Sequence, residues 1–154
     1  MQEKVFPIIP ASTLPLWSFA LIMVFLLASM VVFGWFLYWS KHTVVLIDEQ
    51  GLEIPAGPFA RKVAMSSLLT DQAEIVDLDV EQSLRPGIRT NGLAVPGYKA
   101  GWFKLKNGQK ALIYLTKQNA VLSVPTTEGF HLLLSVASPE DALDRLLQAS
   151  GRAD

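Results

Sequence analysis

A single membrane-crossing helix, followed by a mainly antiparallel β domain that a C-terminal amphipathic helix closes, is the architecture this sequence predicts. Three observations predict it. No Asp, Glu, Lys, Arg or His stands between Lys4 and Lys41. From Thr43 onward, short runs of valine, isoleucine, leucine and aromatics alternate with turn residues. Near the end, Ser138-Pro139-Glu140-Asp141 opens an apolar stripe at helical spacing.

Composition narrows the class. The 154 residues are 51 % hydrophobic and 18 % charged, apolar-rich and charge-poor for a soluble domain, and the length suits one compact unit with an appendage. Bulk disorder is excluded, because disordered segments are poor in apolar residues. The chain has no cysteine, which removes disulfide scaffolds, thiol catalysis and thiolate zinc sites. With His42 and His131 as the two histidines, a metal cage would be mostly carboxylate. The net charge of −1 gives no general affinity for nucleic acid, so an electrostatic function has to come from uneven distribution along the chain.

The first element is the helix. Pro7, Pro10 and Pro15 keep residues 1–15 extended, since proline lacks an amide donor and restricts the residue before it. Residues 16–39 then form an almost wholly apolar run. A helix of that length reaches roughly 36 Å, against a hydrocarbon core of about 30 Å. Trp17 stands at one end, and Trp35, Tyr38 and Trp39 at the other, followed by Lys41. Indole and phenol rings favour the headgroup level, so these residues mark the two interfaces. A cleaved leader would have a shorter apolar core ending in small residues, whereas this one ends in bulky aromatics. The small residues Ala20, Ala28, Ser29 and Gly34 form no Gly-xxx-Gly pair. With no ionisable residue inside it, the span offers no proton or ion pathway. Lys41 and His42, with Arg61 and Lys62 further on, face Lys4 and the amino terminus across the span, a balance that tilts toward a cytoplasmic domain.

Strands are expected at 43–48, 52–55, 61–65, 72–79, 98–105, 109–116, 121–125 and 130–135. Asn107-Gly108 between two apolar-aromatic runs is the strongest hairpin signal, for a two-residue turn with both φ values positive. Residues 85–98 hold Pro86, Gly87, Gly92, Pro96 and Gly97 and are expected to form a long loop, docked by Ile88, Leu93 and Val95. In the terminal helix, 139–150, Ser138 is the N-cap and Pro139 the first helical position. Ala142, Leu143, Leu146 and Leu147 form its apolar face against the sheet, and Gly151 ends it.

The residues Arg89-Thr90-Asn91-Gly92, Pro96-Gly97-Tyr98, Gly101-Trp102-Phe103 and Asn107-Gly108, followed by Val124-Pro125-Thr126-Thr127, Leu133-Leu134-Ser135 and Ser138-Pro139-Glu140, resemble the bacterial pleckstrin-homology-like (PH) domain proteins. The resemblance covers nearly all of the chain after Lys41, as a domain over 43–150. It implies a bent sheet pair, or partly open barrel, plugged at one end by the helix. It implies a binding or assembly module and no reaction.

Chemistry-bearing constellations are sparse. His131 lies among leucines on a strand and reads as a sheet histidine, and a triad would also need a nucleophile and an orienting acid. Glu74, Asp77, Asp79 and Glu81 alternate with apolar residues and read as solvated carboxylates on a strand edge, with no calcium-loop spacing. No catalytic residue, metal site or cofactor is assigned. Charge is more telling. Residues 82–127 contain no acid but hold Arg85, Arg89, Lys99, Lys104, Lys106, Lys110 and Lys117. Such a stretch fits anionic lipid headgroups or an acidic protein face, or else a solvated sheet face whose lysines blunt an edge strand. The candidate contact residues are Arg85, Arg89, Lys104 and Lys106 with Tyr98 and Trp102; arginine supplies bidentate contacts and the aromatics amphipathic ones. Strand alternation puts Tyr98, Trp102, Lys104 and Lys106 on one face, and Lys99, Phe103 and Leu105 on the other. The function expected is a membrane-tethered, non-enzymatic binding or scaffold module in a bacterial inner membrane, as an accessory subunit of a membrane protein assembly, with the bilayer, a membrane protein partner or anionic lipid headgroups as partners and no nucleic acid; the competing classes are a membrane-anchored hydrolase and an anionic-lipid-binding domain.

Overall fold

The computed structural model describes residues 14–41, 44–55 and 57–151, without the side chains of 14, 15, 36 and 39–41. The chain divides into two compact units, Met1–Lys41 and His42–Asp154. Of the expected extended tail over 1–15, residues 1–13 lie outside the described residues, as does His42, and residues 14 and 15 already belong to the helix, because proline is tolerated in a first helical turn, where its missing N–H has no partner to lose.

The first unit is helix α1, Leu14–Lys41. Within it, Leu16–Trp35 is long and apolar enough to cross a membrane. The Ser29 hydroxyl donates to the Phe25 carbonyl at 2.8 Å, which keeps a polar group satisfied on an apolar rod.

Among its described residues the second unit has nine strands and one α-helix, with three short 3-10 turns between strands. Strands β1 (Leu46–Asp48), β2 (Gly51–Ile54) and β3 (Arg61–Ala64) form an antiparallel sheet in that order. The larger sheet contains β4 (Glu74–Val76), β5 (Pro86–Val95), β6 (Tyr98–Leu105), β7 (Lys110–Leu115), β8 (Val121–Pro125) and β9 (Phe130–Leu134). Their spatial order is β4-β8-β9-β7-β6-β5. The pairings are antiparallel except for β7 with β9, which run parallel. That exception arises because the chain leaves β7, passes over one strand position to lay down β8, and then fills the vacancy with β9. Ser135 closes the wide end: its N–H donates to the Tyr114 carbonyl at 2.8 Å, and its hydroxyl donates to the Lys117 carbonyl at 3.0 Å.

The larger sheet is covered on both faces. On one, Leu112, Leu122, Val124, Leu132 and Leu134 meet Leu52, Ile54 and Val63 of the small sheet, with Leu146 and Ala149 from helix α2 (Pro139–Ser150). On the other, Phe103, Leu105, Ile113, Val121 and Leu133 meet Val76, Leu78 and Leu84. Residues 111–115 of β7 are therefore all buried, which is why that strand and β9 read as continuous apolar runs instead of alternating ones. Each fully buried leucine contributes about 1.5–3 kcal/mol.

Five local expectations are corrected. Residues 85–98 are not a loop: 86–95 form β5, joined to β6 by the two-residue turn Pro96-Gly97 with Gly97 at φ +78°. The turn at Asn107-Gly108 is a longer one, with Gly108 N–H bonded to the Leu105 carbonyl and only Gly108 at positive φ, because the Leu105 N–H pairs with the Gln109 carbonyl. The acidic segment is a strand only over Glu74–Val76; beyond it Asp77 accepts the Asp79 N–H at 2.8 Å and turns the chain. In α2, Leu147 is exposed, and Ala149 takes its place on the buried face. Ser138 makes no side-chain cap there.

Candidate anion-binding groove

Three elements converge beside the second core face. The Leu78 N–H donates to the Gln118 carbonyl at 2.8 Å, tying the segment after β4 to the turn after β7. The Arg85 Nε donates in turn to the Leu78 carbonyl at 2.7 Å, so one residue, Leu78, links the arginine to the β7–β8 connection. The Lys106 N–H donates to the Arg85 carbonyl at 3.0 Å, and the Asn107 N–H to the Ser83 carbonyl at 3.0 Å. The backbone thereby fixes Arg85 and Lys106 side by side, where β5 starts and β6 ends.

A groove of about 270 Å³ is lined by this pair and by residues from the far ends of the strands: Arg85, Lys99, Lys106 and Lys117 together with Tyr98, Val95 and Leu115. None of the lining residues is acidic. Asp79, outside the lining, forms a salt bridge with a terminal nitrogen of Arg85. The Arg85 side chain is 31 % exposed and that of Asp79 61 %. A pair this open is screened by water and contributes of the order of 1 kcal/mol or less.

The structure brings together three of the six expected contact residues: Arg85, Lys106 and Tyr98. The other three are elsewhere. Arg89 is exposed on β5 opposite Phe103, and Lys104 is exposed on β6 opposite Ile88 and Lys110. Trp102 packs on the first core face, edge-on to Phe130 at a centroid distance of 5.1 Å. Two cations cover its ring, Lys110 at 4.4 Å and Arg61 at 5.5 Å. Arg61 is in turn ion-paired with Glu128 at 2.7 Å. Lys99 and Lys117 join the groove although sequence reasoning left them outside the chosen set. Their signal was present in the acid-free run from 82 to 127, but the bond from Leu78 to Gln118 that recruits Lys117 spans 40 residues and has no local mark.

Alternation along β6 is kept in the core, with Ala100 and Trp102 on the first face and Phe103 and Leu105 on the second. It does not decide the groove. Tyr98 and Lys99 belong to opposite faces and both line it, together with Lys106 just beyond the strand's other end.

Of the aromatics and cation expected at the membrane interfaces, Trp17, Trp35 and Tyr38 are exposed on α1. Trp39 and Lys41 lie in its final turn, with side chains outside the described residues. His131 sits in register with Ala111 and Pro125, its Nδ1 buried without a hydrogen-bond partner. Burial pushes its pKa below the ordinary histidine value. Among the described residues no group of three or more His, Asp or Glu side chains is placed to hold a metal ion.

The described residues thus form nine strands in two sheets with a closing helix, and carry a basic groove beside the larger sheet. Residues 43–149 match the bacterial PH domain family, and the chain belongs to that family. No curated protein and no solved structure matches it. PH domains are in general non-catalytic modules that bind lipids or proteins.

Proposed function

We propose that this chain is a membrane-tethered, non-enzymatic binding or scaffold module, anchored in a bacterial inner membrane by α1 with its PH domain on the cytoplasmic side, and serving as an accessory subunit of a membrane protein assembly. The observation that carries the reading is the span Leu16–Trp35, which has no charged side chain and none of its length buried. Water would penalise that surface at about 25 cal/mol per Å², and a bilayer removes the penalty. A binding domain on such an anchor works at the membrane plane.

Extraction of membranes from cells expressing the full chain tests this. The chain should stay with the bilayer through alkaline carbonate, enter solution only with detergent, and emerge in mild detergent with a second protein at fixed ratio. Release by carbonate would refute the tether, and a chain that always emerges alone at native abundance would refute the assembly. A C-terminal reporter active only in the cytoplasm checks the side. The hydrolase reading needs an oriented base, whereas the buried Nδ1 of His131 meets no acid; His131→Ala should alter stability and leave partner capture intact.

A further inference from the structure

We propose that the open edge of β5 over residues 92–95 takes up an extended segment of the partner protein as an added strand, one in which acidic side chains alternate with apolar ones. The inference rests on the binding-module reading and names how the partner is held. β5 is the last strand of its sheet, so one side of its backbone has no neighbouring strand among the described residues. Proteins commonly blunt such an edge with charge, proline or bulges. Within β5 those devices are confined to the first part, which holds Pro86, Arg89 and both register shifts. From Gly92 the pairing with β6 runs unbroken to the turn, as Gly92 with Gly101, Leu93 with Ala100, Ala94 with Lys99 and Val95 with Tyr98. The opposite edge, β4, is three residues long and gives no comparable run.

The turn fixes which backbone groups face outward. Val95 and Tyr98 flank a two-residue connection and form a hydrogen-bonded pair, after which non-hydrogen-bonded and hydrogen-bonded pairs alternate. Gly92 and Ala94 therefore turn their N–H and C=O groups away from β6, toward an incoming backbone. The two faces beside that edge differ. Leu93 and Val95 share the first face with Ala100 and Tyr98 and offer an apolar surface, whereas Ala94 shares the second with Lys99, and Arg89 lies further along it opposite Phe103. Residues 82–127 contain no acid, so β5, β6 and β7 present only positive charge. An added strand alternates its own side chains between the same two faces. Apolar residues against Leu93 and Val95, with carboxylates toward Arg89 and Lys99, define its pattern. A second β5 in that place would bring cations against cations, which disfavours another copy of this chain as the occupant.

The test titrates a capped heptapeptide of alternating glutamate and valine into the full chain in nanodiscs of neutral phosphatidylcholine, followed by calorimetry, with hydrogen exchange read at the Gly92 and Ala94 amides. The peptide should bind and slow exchange at both amides. Its lysine and valine counterpart should bind about tenfold more weakly or worse. Of two versions N-methylated at the glutamates or at the valines, one should lose about tenfold or more and the other keep its affinity, since alternate amides of a strand face opposite edges. Ala94→Pro removes one outward donor and spares the ladder to β6, so it should weaken binding about tenfold or more without loss of the folded state. Equal affinity for the glutamate and lysine peptides, equal affinity of both N-methylated versions, a folded Ala94→Pro that binds as tightly as wild type, or no binding of the glutamate peptide up to about 5 mM would each overturn the proposal. The N-methylated pair is read on wild type, so that arm decides whether or not Ala94→Pro folds. Slow exchange at the two amides without peptide, in discs holding two chains and not in discs holding one, would assign the edge to a second copy and overturn the proposal as well. Membrane retention and partner capture are read separately: if both persist while the peptide fails, the strand edge falls and the tethered module stands.

Discussion

The Lys110 ammonium lies 4.4 Å from the centroid of the Trp102 ring. The indole is thus committed to the protein's own cations, with Arg61 on it as well, and is not an outward contact beside an anionic partner. Arg61 comes from the small sheet and Trp102 from the large one, so the contact fastens the two sheets at their rim. Trp102→Ala should destabilise the domain by about 2–4 kcal/mol, and Lys110→Ala by about 0.5–1 kcal/mol. Urea unfolding of the full chain in a non-ionic detergent, followed by the β-sheet circular dichroism signal, measures both. Equal small effects would mean that the ring does not join the sheets.

His131 gives the fold a dependence on acid. Burial lowers its pKa in the folded state, so below the ordinary value of about 6.5 the unfolded chain binds the extra proton first. Its contribution is fully present above that pH and is lost as pH falls toward the lowered folded value. The stability difference between wild type and His131→Gln should therefore shift against wild type on going from pH 7.5 to 5. A difference that stays constant with pH would show that the ring titrates normally.

Tyr114 carries a buried hydroxyl with no hydrogen-bond partner. Burial, followed by the nearby Tyr98, raises its pKa. Removing an unsatisfied polar atom returns its desolvation cost, so Tyr114→Phe should be as stable as wild type or up to about 1 kcal/mol more so. A loss above about 1 kcal/mol would reveal a bond that the hydroxyl makes.

Gly101 separates backbone strain from crowding. Its φ is +109°, and a Cβ there would lie 2.6 Å from both the Asn91 carbonyl oxygen and the Gly92 Cα on β5. Gly97, at φ +78°, has nothing within 4 Å of such a Cβ. Gly97→Ala should cost about 1–2 kcal/mol from conformation alone. Gly101→Ala should cost about 3 kcal/mol or more, because β5 must move away. Equal thermal shifts in the two variants would contradict the close approach of β5 and β6.

Legibility in the sequence followed burial and locality. β6 and β8 were readable to the residue, since apolar side chains fill them and turn residues flank them. β5 was missed because it is an exposed edge strand: Arg89, Thr90 and Asn91 all face water, so burial writes no pattern there. Its register also shifts between Pro86 and Ile88 and between Arg89 and Asn91, which breaks the two-residue period. The clue was Pro96-Gly97 between Leu93-Ala94-Val95 and Tyr98. The parallel pairing of β7 with β9 had no local signal, because each strand looks the same whichever neighbour it takes. In the groove, Arg85 and Lys106 were legible as charge in an acid-free run, but their alliance with Lys117 depends on the long-range hydrogen bond from the Leu78 N–H to the Gln118 carbonyl.

The place of β9 between β7 and β8 dictates when the sheet can be finished. As a nascent chain emerges, β7 and β8 come first, yet their native separation is two strand widths, about 9.6 Å, too far for hydrogen bonds between them. Until Phe130–Leu134 arrives, each presents an open inner edge to a slot one strand wide. An extended apolar segment from another chain fits that slot as well as β9 does. The half-made domain is therefore the species at risk of clumping, and the finished one leaves only the outer edges of β4 and β5 on its larger sheet.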